Sequence, residues 1–145
     1  KSKEEMVSTL NRFAQNADYF LPGTKEGEAL MGSRDPEKIA SYYLNLGVKN
    51  VIVKTGPKGA YFCNNQKSFF CAAFEEDRVV DTVGAGDGFA AGIISAIAEG
   101  LPPEAAVRRG NAIGTIQIMN IGDNEGLPTM DELTDFMETH KQINR

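Results

Sequence analysis

A carboxylate set among glycines at the start of a helix is the strongest chemical signal in this chain. It lies in Asp81-Thr82-Val83-Gly84-Ala85-Gly86-Asp87-Gly88-Phe89-Ala90-Ala91-Gly92. The stretch joins the apolar pair Val79-Val80 to an apolar-periodic run, Phe89, Ile93, Ile94 and Ile97. A helix that begins near Gly86 aims several unpaired backbone N–H groups at one point, with the positive end of its dipole behind them. Small residues let an anion come close to the backbone, so Gly84, Ala85 and Gly86 read as an anion hole for phosphate. Asp87 then falls in the first turn. Beside a phosphate a carboxylate binds poorly, but it can accept the proton of a hydroxyl nucleophile. The pattern predicts phosphoryl transfer, with Asp87 as base and residues 84–87 stabilising the moving group. The competing reading makes Asp87 a helix-start carboxylate that complements the dipole and does nothing more.

Other stretches bear on the same chemistry. Lys54-Thr55-Gly56-Pro57-Lys58-Gly59 follows a strand and is a glycine-rich turn. Gly110-Asn111-Ala112-Ile113-Gly114 interrupts an apolar helix with small residues, which suits close helix packing. No G-x-x-x-x-G-K-[ST] loop occurs, so any phosphate must be held by backbone N–H groups and metal and not by a dedicated lysine. The net charge of −5, with no basic cluster, argues against nucleic-acid binding. No apolar run approaches the ~18 residues of a membrane span. There is no signal-peptide pattern at the start, and the chain opens on Lys1-Ser2-Lys3 without an initiator Met, as expected of a piece of something longer.

The twelve-residue string resembles the second signature of the PfkB (ribokinase-like) family of carbohydrate kinases, whose D-T-x-G-A-G-D motif ends in the catalytic base, here Asp87. The resemblance covers essentially the whole chain and is to the C-terminal half of a kinase about twice as long. It implies ATP and Mg2+ as cofactors and a small sugar or sugar acid as partner. The family's G-x-x-G segment at the nucleotide site falls on Gly56 and Gly59, with Lys54 and Thr55 beside them. Asn111, Ala112 and the Ile121-Gly122 loop fall on the adenine pocket. Leu21-Pro22-Gly23-Thr24-Lys25-Glu26 resembles the N-x-x-E segment, with Glu26 holding Mg2+ through water and Gly23 where many members have asparagine. The loop of Asp81 and Val83 corresponds to one that binds a monovalent cation, K+, through backbone carbonyls. Leu21–Gly32 and Arg109–Thr129 look most like the kinases of 2-keto-3-deoxygluconate, with fructose, ribose and 5-keto-2-deoxygluconate as alternatives. A homodimer through a lid outside this chain is implied for the whole protein. The rival reading for the 145 residues alone is a nucleotide-binding module without catalysis of its own.

These residues need elements to position them. Met6, Leu10, Phe13 and Ala17 predict an amphipathic helix over 3–16. Tyr19-Phe20-Leu21 and Val51-Ile52-Val53 read as buried strands. Between them, Thr24 can cap a short helix through Met31. Asp35-Pro36 opens another to Gly47, with Ile39, Tyr43 and Leu46 inward. Ala60–Cys63 and Lys67–Ala73 predict a hairpin, and Arg78–Asp81 a strand or strand end. After the signature helix, Pro102-Pro103 opens a helix carrying Val107, Ile113 and Ile116. Thr129-x-x-Glu132 is a capping box before a last helix with Leu133, Phe136 and Met137. Strands alternating with helices predict an α/β fold of one domain. With the resemblance, the expected fold is the C-terminal portion of a ribokinase-like (Rossmann-like), mostly parallel sheet with helices on both faces. Cys63 and Cys71 are too far out of register to pair across the hairpin, so both read as thiols in a cytoplasmic protein. His140 reads as a surface residue complementing a helix C-terminus.

Overall fold

A computed structural model describes residues 2–143 of the chain. Contacts divide the chain into two compact units, Lys1–Gly56 with Ala60–Phe70 and Pro57–Gly59 with Cys71–Arg145.

The first unit begins with α1 (Lys3–Ala14), started by a capping box in which Ser2 Oγ accepts from Glu5 N and Glu5 Oε2 accepts from Ser2 N. The expected helix is there, but its apolar stripe is not covered: Met6, Leu10 and Phe13 are 54%, 46% and 68% exposed. Only Ala14 is buried. The periodicity gave the element correctly, whereas the face has no covering layer among the described residues. After β1 (Tyr19–Phe20) and α2 (Thr24–Met31) comes α3 (Pro36–Leu46). Asp35 Oδ1 accepts from Glu37 N, Pro36 fills the first helical position, and Gly47 ends the helix. Ile39, Ala40 and Tyr43 of this helix pack with Val51 and Val53 of β2 (Asn50–Lys54) as the unit's core. Tyr43 is fully buried, and its hydroxyl donates to Asn11 Oδ1 at 2.7 Å. Burial, and then the neighbouring Tyr42, push its pKa up to about 12.

The sheet runs β1-β2-β3-β4, with β3 at Gly59–Asn64 and β4 at Ser68–Ala72. β1 and β2 are parallel, pairing Tyr19 with Asn50 and Phe20 with Val51. β2 and β3 are antiparallel, pairing Asn50 with Asn64 through to Lys54 with Ala60. The sheet within this chain is therefore mixed, because a connection as short as the 3-10 turn at Gly56–Lys58 can only return the chain antiparallel. Asn64 Oδ1 shapes the next turn by accepting from Gln66 N and Lys67 N, both at 2.9 Å. Cys63 and Cys71 are free thiols, as expected.

The second unit is built on α4 (Ala85–Ala98) and α5 (Pro103–Ile118), followed by α6 (Met130–Thr139). α6 starts at the anticipated capping box, with Thr129 Oγ1 accepting from Glu132 N and Glu132 Oε2 accepting from Thr129 N. Leu133 and Phe136 of α6 pack with Phe74, Ala112 and Ile113. α4 and α5 meet at glycine: a Cβ on Gly92 would stand 2.7 Å from Gly110 Cα and 2.8 Å from Gly110 N. Arg109, nearly buried, ties the same pair of helices by donating to Ser95 Oγ and to both carboxylate oxygens of Glu99, at 2.9 and 3.0 Å.

The strand expected at Arg78–Asp81 does not form. Val80 N and Asp81 N both donate to Ile118 O at the end of α5, at 2.7 and 3.2 Å, so a helix terminus holds this segment in place of a sheet edge. Val79 and Val80 are each 57% exposed. Just before them, Glu76 accepts from Arg78 N, Nε and Nη2 at 2.9–3.0 Å. The arginine side chain, then its backbone N–H, hold the carboxyl at about 2 against an ordinary 4.5.

Two outcomes are expected. Gly92→Ala should destabilise the protein by about 1–3 kcal/mol in denaturant unfolding, because backbone atoms of α5 cannot retreat from the added methyl as a side chain could. The Glu76 cluster contributes stability that is fully present above the ordinary carboxylate pKa and lost as pH falls through about 2. The fall in melting temperature between those limits should therefore be shallower in Glu76→Gln than in the parent.

Candidate functional site

The N-terminus of α4 is where the chain's chemistry converges. Gly84 precedes it as the N-cap with φ 79° and ψ −7°, a left-handed conformation that strains any residue with a Cβ. That turn points the helix start out of the fold. Gly86 and Asp87 are exposed, while Gly88 and Phe89 behind them are buried. Ala85 N reaches Thr82 O at 3.4 Å and Gly88 N reaches Gly84 O at 2.8 Å. The N–H groups of Gly86 and Asp87 make no hydrogen bond among the described residues. Two free donors, the helix dipole and an exposed carboxylate thus share one turn.

A second loop is fastened beside it. Asp81 Oδ1 accepts from Val83 N at 3.0 Å and its Oδ2 from Gly122 N at 3.3 Å. The Val83 bond first, then the Gly122 bond, lower the pKa of Asp81. Asp81, Val83, Gly84, Ala85, Gly86, Asp87 and Gly122 are thus held in one neighbourhood of the second unit. Gln117, which sequence reasoning passed over, lies fully buried there and donates through Nε2 to Asp123 O. Its one visible signal was a long polar side chain four residues after Ile113, on the packed face of an apolar helix.

Three residues expected at the nucleotide site are placed otherwise than direct contacts would be. Asn111 is 6% exposed, and its Nδ2 donates to the carbonyls of Cys71 and Ala72 at 3.0 and 3.2 Å, closing the end of β4. Ala112 is a core residue of the second unit. Gly59 is buried, and a side chain there would run into the backbone of Cys71–Ala73. The packed segments need these residue types, and the sequence pattern could not separate that need from ligand contact.

The first unit holds the remaining candidates at the C-terminal ends of its two parallel strands. Gly23 bridges Lys54 in parallel fashion, and Lys54 N donates to Pro22 O at 2.8 Å. Thr55 is half-buried and Gly56 exposed. Glu26 Oε2 accepts from Gly23 N at 2.7 Å, so the side chain caps α2 in place of the Thr24 cap foreseen. Glu26 is itself exposed, and among the described residues its other carboxylate oxygen shows no hydrogen bond. Among the described residues no three His, Cys, Asp or Glu side chains cluster as a metal cage. A single exposed carboxylate of this kind fits a hydrated Mg2+ contacted through water, since that ion keeps most of its own shell.

Residues 1–130 match the pfkB family of carbohydrate kinases. The chain belongs to that family. It is 49% identical over 140 residues to the 2-dehydro-3-deoxygluconokinase of Bacillus subtilis (strain 168), covering 97% of this chain and 43% of that protein. Among solved structures it is similar to a PfkB protein from Polaromonas sp. JS666, at TM-score 0.79 and 43% identity, covering 92% of this chain and 41% of the other. It is similar also to a putative Ribokinase II from E. coli in complex with ATP and magnesium, at TM-score 0.86 and 29% identity, covering 96% and 46%. The fold is ribokinase-like, and the chain spans less than half the length of these relatives.

Asp81→Ala should release the amides of Val83 and Gly122 while leaving the helices intact. Faster hydrogen exchange at those two N–H groups by NMR, with unchanged protection in α4, is the expected result.

Proposed function

We propose that this chain carries the phosphoryl-transfer site of an ATP-dependent kinase that phosphorylates a hydroxyl of 2-dehydro-3-deoxygluconate (2-keto-3-deoxygluconate). The observation behind the reading is the exposed Asp87 in the first turn of α4, next to the free N–H groups of Gly86 and Asp87. The substrate is taken from the Bacillus subtilis relative.

In this reading the sugar hydroxyl lies between Asp87 and the γ-phosphate of ATP. Asp87 takes the hydroxyl proton as the new O–P bond forms and the bridging oxygen leaves on ADP. Within residues 84–87, the free N–H groups of Gly86 and Asp87 stabilise the oxygens of the phosphoryl group in transit, where charge is spread in a loose transition state. Because those donors are fixed by Gly84 and by α4 itself, they need no rearrangement when the charge moves. Mg2+, if bound, would supply positive charge to offset that of the phosphates, and Glu26 of the first unit is the residue proposed to hold it through water.

In the first unit Lys54, Thr55 and Gly56 are the residues proposed to touch nucleotide. In the second unit the proposed nucleotide-binding residues are Gly122, with Gly59, Asn111 and Ala112 as packed residues that shape the backbone. The carbonyls of Asp81 and Val83 are the proposed seat of K+, to be read from the potassium dependence of turnover. No helix among the described residues is long and apolar enough to cross a membrane, and a cytoplasmic homodimer is proposed for the whole protein.

Asp87→Asn in the whole protein is the deciding variant. Turnover should fall roughly 100- to 10,000-fold while ATP still binds, measured by coupled ADP release and by calorimetry. Near-parent turnover would remove Asp87 from the reaction. A panel of 2-dehydro-3-deoxygluconate, 5-dehydro-2-deoxygluconate, fructose and ribose tests the substrate separately. ADP release with none of them would favour a nucleotide-binding module.

A further inference from the structure

Gln117 is an unusual residue to find sealed in a helix interface. It lies one position before the end of α5 and has no exposed surface. Glycines make room for its side chain on every side. A Cβ on Gly84 would stand 2.9 Å from Gln117 Nε2, one on Gly88 2.7 Å from its Cγ, and one on Gly126 2.5 Å from its Oε1. Nε2 donates to Asp123 O, whereas Oε1 is buried without a hydrogen-bond partner among the described residues. An orphaned acceptor in the interior is a standing cost that a methionine or leucine of similar volume would avoid. Stability alone therefore gives no reason for an amide at this position.

Its location gives one. The side chain lies under Gly84, the residue whose left-handed turn aims the start of α4, and its amide reaches the carbonyl of Asp123 in the loop that also receives Asp81 through Gly122. One side chain thus sets the spacing between the α4 turn and the 121–126 loop. We infer that Gln117 is a positioning residue for the anion hole, holding the Gly84–Asp87 donors where the transferred phosphoryl group needs them. The inference rests on the reading of Asp87 and its turn as the phosphoryl-transfer site.

Gln117→Met separates this role from a structural one, because the two predict opposite patterns. The methionine keeps the volume, removes the orphaned acceptor and loses only the bond to Asp123 O, whose exposed residue can turn to water. If Gln117 positions the turn, kcat in the whole protein should fall roughly tenfold or more, with KM for ATP nearly unchanged and the melting temperature held or raised. Parent-like kcat would overturn the inference, as would a kcat loss that only follows a fall in melting temperature.

Gly126→Ala is the second variant, since its methyl would press on Gln117 Oε1 and on Asn120 beside it, the three nearest atoms belonging to these two residues and none to α4. It should lower kcat as well, and parent-like turnover there would also count against the inference. Asp87→Asn assayed in parallel keeps the two readings apart. If that variant retains turnover, the site itself is misassigned. If it loses turnover while Gln117→Met and Gly126→Ala keep it, only the role of Gln117 fails.

Discussion

Close approach of two helices is the constraint on which this site depends. α4 and α5 touch at Gly92 and Gly110, where even one methyl would meet backbone. Such a contact admits almost no slack, because the neighbours of the missing methyl are peptide atoms and not movable side chains. The start of α4 therefore inherits its position from α5. Gly84 then supplies the turn that exposes that start, a backbone geometry at φ 79° that strains any other residue. The exposed turn and its carboxylate are consequences of packing one layer below them.

What the chain reveals without coordinates is mostly what is decided locally. Asp35-Pro36 and Thr129-x-x-Glu132 fix helix starts through bonds within a single turn, so the helices at 36–46 and 130–139 begin where expected. Burial is decided at a distance, and there the sequence is less explicit. Met6, Leu10 and Phe13 have helical spacing yet stand exposed. Arg78–Asp81 has the residues of a strand but is held by a carbonyl of α5. The mostly parallel sheet expected of the fold is represented here by one parallel pair, because β3 and β4 turn back through short connections.

The site shows the same division. The exposed helix start at Gly84–Asp87 was legible because a helix start and small residues act together over four positions. Glu26 was legible as a carboxylate, and its bond to Gly23 N is a local one, made within the first turn of α2 with Gly23 and not Thr24 as the N-cap. Asn111 and Ala112 carried a signal that two requirements could produce, and coordinates tie both to packing. Gln117 needed three glycines from three segments before its environment existed at all.

Arg109, Ile113 and Gln117 occupy one stripe of α5, four residues apart. The first grips Ser95 and Glu99 near the rear of α4, and the last fills the space under its front. A rod pinned at both ends cannot tilt. A tilt of α4 against α5 would have to break both grips at once, so a substitution at one end of this stripe is felt at the other end of α4.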